Sequence, residues 1–268
     1  VKQGAKKTDW YIFCVVASLV GIGIIMVFSA SQYFAQYEYN DVYHFLKKQF
    51  MHALIGFIGM FCAYKFGYKR LQHFAYPIFA VVLVLLTAVL LSSAGEEAGG
   101  AERWLNLGGF RFQPSELCKL AVVLAASKYI ASNYRRMDTG KYGFWPLIIF
   151  MSVTCGLVFK QNDLSTAVVI AGTLFMMMFV GGVQLRYLLG TMIAGVSAGI
   201  IIILSSFRIA RISAWWDPWS DPQGYGFQAI QSLLAIGSGG LTGVGLGAGG
   251  SKWYYLPERH TDFIFSVL

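Results

Sequence analysis

Long apolar stretches separated by short polar ones organise this chain. Seven runs approach or reach the roughly 20 residues that a helix needs to cross a bilayer. They cover residues 10–29, 50–66, 74–91, 115–130, 144–159, 165–183 and 188–207, the fourth and fifth being short. A last run, 263–268, reads as the start of an eighth crossing. An apolar run that ends with the chain looks cut, so further spans are expected after it. The first run is too long for the core of a signal peptide and has no small-residue cleavage site. The expected fold is all-α: one polytopic, integral membrane helical bundle over residues 1–268, truncated.

The polar segments set the orientation. With the N-terminus in the cytoplasm, the inner segments hold Lys2, Lys6, Lys7, Lys65, Lys69, Arg70, Lys128, Arg135, Arg136, Lys141 and Arg186. That is 11 of the 21 basic residues against only Asp9 and Asp138 of the 13 acidic ones, as the positive-inside rule requires. The outer loops are then about 30–49, 92–114 and 208–262. Loops above about 15 residues are usually functional or disordered. The third has no low-complexity stretch and carries Trp, Pro, Gly and paired charges, which favours order and function. Within it Phe227, Ile230, Leu233, Leu234 and Gly237 recur at helical spacing, predicting a short amphipathic helix for the membrane surface.

Composition narrows the class. The chain is 56% hydrophobic and 13% charged, against about 25% charged in soluble domains. A net charge of +8 raises nucleic acid as a partner, but the basic residues sit in short loops, with no basic stripe or nucleic-acid motif. Cys14, Cys62, Cys118 and Cys155 each fall in an apolar segment without CxxC spacing, so neither disulfides nor zinc are expected.

Polar groups within or beside the apolar runs are the candidates for chemistry. Glu116 and Lys119 are spaced i, i+3 and can pair on one helical face. They form either a structural ion pair facing the bundle interior or a charged wall for an anionic head group. Gln113-Pro114-Ser115-Glu116 reads as a helix start, with Pro at the entry and an acid in the first turn. Asp163, in the turn Lys160-Gln161-Asn162-Asp163, is a helix cap, a functional acid, or both. Arg208 and Arg211 stand one turn apart at the end of the seventh run. Such a pair either snorkels from the interface or holds a phosphate or pyrophosphate. The steps Asp217-Pro218 and Asp221-Pro222 predict turns, and Trp215, Trp216 and Trp219 suit an interface. The stretch 237–250 contains eight glycines but lacks the GKS/T ending of a nucleotide loop. Asp262 falls where water gives way to lipid, and a partly desolvated carboxylate is a stronger base. The alternative is that Thr261 or Asp262 caps the last helix. A single His260 beside a single Asp262 is not metal-ligand spacing.

In their shared order these features resemble the SEDS (shape, elongation, division and sporulation) glycosyltransferases of bacterial cell-wall synthesis, typified by FtsW, RodA and SpoVE. The markers are Arg103-Trp104, Gln113-Pro114-Ser115-Glu116 with Lys119, Asp163-Leu164, Asp217-Pro218 with Asp221-Pro222, and Gln231-Ser232. They continue with Gly245-Leu246-Gly247, Lys252, Tyr255-Leu256-Pro257-Glu258 and His260-Thr261-Asp262-Phe263-Ile264-Phe265. The resemblance covers nearly the whole chain and implies ten spans, about three more than are present.

It further implies polymerisation of lipid II, a disaccharide-pentapeptide on undecaprenyl pyrophosphate, outside the cytoplasmic membrane. The family's essential acid falls on Asp262, as general base on the acceptor 4-hydroxyl. Substrate binding is assigned to Arg103, Trp104, Glu116, Lys119, Asp163, Arg208, Arg211, Lys252 and His260. A divalent cation, Mg²⁺ or Mn²⁺, or basic residues would assist the leaving group, with no protein ligands to a metal assigned. The implied partners are a class B penicillin-binding protein and other divisome or elongasome membrane proteins. Residues 221–224 and 237–241 look more like division or sporulation members. Two departures stand out: the usual Gln-Pro-Asp-Leu-Gly-Thr reads Gln161-Asn162-Asp163-Leu164-Ser165-Thr166, and Gly249 stands where a Ser is common. A lipid II flippase and a partner-recruiting scaffold are the competing readings. A flippase has no need of a base at the outer mouth, and a scaffold leaves the charged outer residues unexplained.

Overall fold

Lipid offers no partner to backbone N–H and C=O groups, so a membrane chain satisfies them within helices. The computed structural model describes residues 9–91, 95–97, 102–107, 110–204, 206–240, 242–245 and 261–268. Helices occupy every place where the apolar runs predict a crossing: α1 (Trp10–Tyr39), α2 (His44–Phe66), α3 (Tyr68–Leu91), α4 (Pro114–Asn133), α5 (Trp145–Lys160), α6 (Leu164–Val180) and α7 (Leu185–Ile203). Four helical stretches, Trp10–Tyr39, Tyr68–Leu91, Gly140–Lys160 and Leu185–Ile203, are long and apolar enough to cross a membrane by length and composition. Their surfaces agree. α2 buries none of its residues and α7 buries only Leu188. Ile193 and Ile201 are 63% and 71% exposed. Each such side chain left in water would forfeit about 2 kcal/mol, so the medium around this multi-pass protein is lipid.

The boundaries differ from the sequence expectation: α3 begins at Tyr68 rather than 74, and three further differences reshape the chain. α1 runs ten residues past 29, because 30–39 contains no breaker. It stops at Asn40, which takes the left-handed conformation at φ 50°. α2 begins at His44 rather than 50, after Asp41 accepts the Tyr43 amide (3.0 Å) and the Lys47 ammonium (2.8 Å). The expected first outer loop therefore shrinks to a tight turn. The run 188–207 divides: α7 ends at Ile203, and a separate helix α8 (Ser206–Trp216) follows. Arg208 and Arg211 sit inside α8 and not at the end of the seventh span, since two guanidinium groups cannot continue through hydrocarbon.

The segment expected to be the second outer loop holds a three-stranded antiparallel sheet in the order β1 (Gly95–Glu97), β2 (Glu102–Leu107), β3 (Phe110–Phe112). Glu96 pairs with Trp104, and Leu105 with Phe112. The sequence carries a signal for it: Gly108-Gly109 between two alternating runs is a hairpin pattern. The predicted amphipathic helix is present as α9 (Phe227–Gly239), with Ile230 buried and Leu233 and Leu234 exposed. α10 (Ile264–Val267) closes the series.

Two compact units make up the chain: residues 63–199, and residues 1–62 with 200–268. In the first, α4 offers the small stripe Cys118, Ala121, Val122, Ala125 and Ala126, which lets its neighbours approach closely. Phe79, Val82 and Leu86 of α3, Leu147 and Val158 of α5, and Ile170, Leu174 and Met178 of α6 complete this core. In the second unit α1 buries Met26, Ser29, Ala30, Ser31 and Ala35, and α10 packs against both α1 and α9.

Candidate functional site

One end of the 63–199 unit is fastened by polar side chains. Pro114 occupies the first turn of α4, as the motif predicts, because its missing N–H would have no partner there. Asp163 caps α6: its Oδ1 accepts the Thr166 amide at 3.1 Å. Its Oδ2 also accepts from Gln113 Nε2 (3.1 Å) and Ser115 Oγ (3.4 Å), which lie 50 and 48 residues earlier. Asp163 is 6% exposed. A carboxylate at that depth is tolerated only when hydrogen-bonded, and three donors from two helix starts meet the need. Beside it the buried Gln161 donates from Nε2 to the Leu86 carbonyl at 3.1 Å, adding the end of α3 to the same knot. Asp163 thus joins α4 to α6. Sequence inspection identifies the cap but not Gln113, Ser115 or Gln161 as its company, because nothing local pairs positions so far apart.

The knot sets the position of the first turn of α4, where Glu116 and Lys119 form the expected pair at 2.8 Å. The pair does not face the bundle interior. Lys119 and Glu116 side chains are 37% and 56% exposed, leaving both charges open to a ligand or to water. Trp104 is half-buried on β2, which packs on α3 and α4. Arg103 is its neighbour on that strand, and its side chain lies outside the described residues. A groove of about 800 Å³ between α4 and α6 lies at their other ends, lined by Tyr134, Met176, Val180 and Gly181, and takes no part in this polar cluster.

The other unit carries the remaining candidates. Both Asp-Pro steps make turns, as expected. Asp217 accepts the Trp219 amide at 3.1 Å, and Asp221 accepts those of Gly224 (3.0 Å) and Tyr225 (2.9 Å). Arg208 and Arg211 are three residues apart on α8, and the Arg208 side chain lies outside the described residues. Trp215 and Trp216 are exposed at its end. Asp262 lies in the turn before α10 and is exposed rather than partly desolvated. Neither Thr261 nor Asp262 is the N-cap. That position is Phe263, and no side chain caps the helix. Lys252 and His260 lie outside the described residues. Ser232 of α9 and Ser266 of α10 share a hydrogen bond of 2.6 Å, a contact that no sequence pattern announces.

Comparison with known proteins places this arrangement. A family model described as "Cell cycle protein", FTSW_RODA_SPOVE, matches residues 9–268. The chain belongs to this family.

Within the family it is a SEDS protein of the division type, in line with residues 221–224 and 237–241. A relative named "Probable peptidoglycan glycosyltransferase FtsW" from Geobacter sp. (strain M18) is 38% identical over 261 residues, 97% of this chain and 71% of the relative. "Stage V sporulation protein E" of Bacillus subtilis (strain 168) is 36% identical over 266 residues, 98% and 73% of the two chains. Among solved structures, a chain from "a peptidoglycan synthase complex" matches with a TM-score of 0.72 at 31% identity, covering 98% of this chain and 70% of that one. The RodA crystal structure from Thermus thermophilus matches with 0.59 at 29%, covering 74% and 60%.

The departure from the family turn has a structural expression. Asn162 adopts φ 56°. A proline, held near −65°, cannot take that backbone, whereas Asn tolerates it. The turn is therefore rebuilt around Asn162 while Asp163 keeps its cap. Gly249 lies outside the described residues. For a divalent cation, no group of three or more His, Cys, Asp and Glu side chains gathers among the described residues.

Proposed function

We propose that this glycosyltransferase polymerises lipid II into glycan strands at the outer face of the bacterial cytoplasmic membrane during division, with its N-terminus in the cytoplasm. The observation that carries the reading is Asp262: an exposed carboxylate at the head of an apolar segment, which no helix cap occupies. Such a group meets water-borne sugar while the substrate's polyprenyl chain stays in lipid. Asp262 accepts the proton of the acceptor sugar's 4-hydroxyl as that oxygen attacks the donor's anomeric carbon. The carbon–oxygen bond to the pyrophosphate breaks, and undecaprenyl pyrophosphate leaves with the electron pair. One displacement requires no covalent enzyme intermediate, so one base suffices. Arg208 and Arg211, three residues apart on α8, carry charges that suit the one developing on the leaving group.

Glu116, Lys119, Asp163, Arg103, Trp104, Lys252 and His260 are assigned to substrate binding. For Asp163 the role is to hold α4 to α6, since its oxygens are taken by Gln113, Ser115 and Thr166. The partner is a class B penicillin-binding protein, a reading supported by the match to a chain of a peptidoglycan synthase complex. Other membrane proteins of the division machinery are assigned alongside it, and nucleic acid is not.

The test is reconstitution of the membrane protein with labelled lipid II. Glycan polymer is the expected product. Translocation of lipid II across vesicles without any polymer would replace this reading with the flippase. In the same assay Arg208→Gln and Arg211→Gln each lower turnover about tenfold, the loss of one charge-assisted bond to phosphate. Unchanged kinetics would remove them from the site.

A further inference from the structure

α10 is a single turn, and it follows directly on the turn that presents Asp262. Its backbone bonds are local: the Ser266 amide donates to the Phe263 carbonyl (3.1 Å) and the Leu268 amide to that of Ile264 (3.0 Å). These bonds hold the turn together but do not fix its rotation or height relative to the rest of the unit. Apolar packing on α1 and α9 supplies attraction without direction. A directional link has to come from a polar contact.

The Ser232–Ser266 bond is such a link among the described residues. Serine hydroxyls in helices commonly turn back to a carbonyl of the preceding turn. Ser238, on the same α9, does so toward Ala235 at 2.9 Å. Ser232 and Ser266 instead reach across to each other at 2.6 Å, half-buried between the two helices. Ser266 lies on α10 four residues after Asp262, so fixing α10 at Ser266 limits where the preceding turn places Asp262. α9 is itself anchored. It follows directly on the turn closed by Asp221 and packs on the short helix Pro218–Ser220 that Asp217 caps. The chain of constraint runs from the two Asp-Pro turns through α9 and the serine pair to α10.

We infer that Ser232 is a positioning residue for Asp262: its hydroxyl, through Ser266, sets where the carboxylate stands. This rests on Asp262 being the general base. It also assigns a purpose to Gln231-Ser232 and to the Asp217 and Asp221 turns, which the proposed reaction leaves without one. A misplaced base still permits substrate binding, so the signature is a loss of kcat and not a rise in KM.

The experiment measures polymerisation kinetics of the reconstituted protein with lipid II. Ser232→Ala is expected to lower kcat about tenfold with KM unchanged. Ser266→Ala is expected to match it, and the double variant to be no worse than either single, because both remove the same bond. Ser232→Thr keeps a hydroxyl and is expected to restore most of the rate. A further variant replaces the exposed Cys14 and Cys62 by Ser and joins Ser232→Cys to Ser266→Cys. Its oxidised, cross-linked form is expected to work at a rate close to wild type, even if Ser232→Ala folds poorly. An unchanged kcat in Ser232→Ala overturns the inference, as does a multiplicative loss in the double variant or an inactive cross-linked enzyme. Asp262→Ala is assayed in parallel. If it stays active, the general-base reading fails. If it is inactive while Ser232→Ala is kinetically silent, only the positioning role fails.

Discussion

Asp262→Ala leaves the reconstituted protein folded and able to bind its substrate, but glycan polymer from labelled lipid II falls by about 10² to 10⁴-fold, the usual contribution of a positioned base. The side chain is exposed and caps no helix, so its removal opens no cavity and leaves no buried donor without a partner. Asp262→Asn keeps the size and removes the basicity, and the same loss is expected from it. Asp262→Glu moves a carboxylate by about one methylene, and a partial rate is expected, since misplacement of about 1 Å costs roughly 10²-fold. The thermal midpoint of all three variants should lie within about a degree of wild type. Polymer at near wild-type rate in Asp262→Ala or Asp262→Asn would refute the assignment.

Asp163→Ala has its large effect on the fold. Removing the carboxylate takes away the α6 cap, worth about 1 kcal/mol. It also strands Gln113 Nε2 and Ser115 Oγ, and a buried donor without a partner costs about 1–3 kcal/mol. The sum starts at about 3 kcal/mol and lowers the thermal midpoint by at least about 6 °C. Asp163→Asn should fall between, because its oxygen still caps Thr166 while its amide meets donors that must reorient. The loss in rate should track the loss of folded protein. A wild-type midpoint in Asp163→Ala would show that the knot contributes nothing.

The two acids divide what the sequence placed together. Both Asp163 and Asp262 read as an acid before an apolar run, with a cap as the plain explanation. In the structure Asp163 is a cap, while α10 begins at Ile264 with no side-chain cap. The difference lies in what surrounds each residue. Asp163 has two helix starts converging on it, and Asp262 has an open turn.

The sequence by itself determined the long apolar helices α1 to α7, because a single apolar run in lipid satisfies its backbone groups within a helix. It also determined whatever closes within one helical turn: Pro114 at the start of α4, Glu116 with Lys119, the Asp217 and Asp221 turns, and Asp163 on Thr166. Tertiary structure alone decided the partners across distance. Gln113 and Ser115 come to Asp163 from 50 and 48 residues away, and Ser232 comes to Ser266 from 34. It also decided that Glu116 and Lys119 face outward and that the chain turns at Ile203 into α8. Hydrophobic burial selects which faces meet but carries no direction of its own. Which hydroxyl or carboxylate finds which donor is fixed only once the helices have packed.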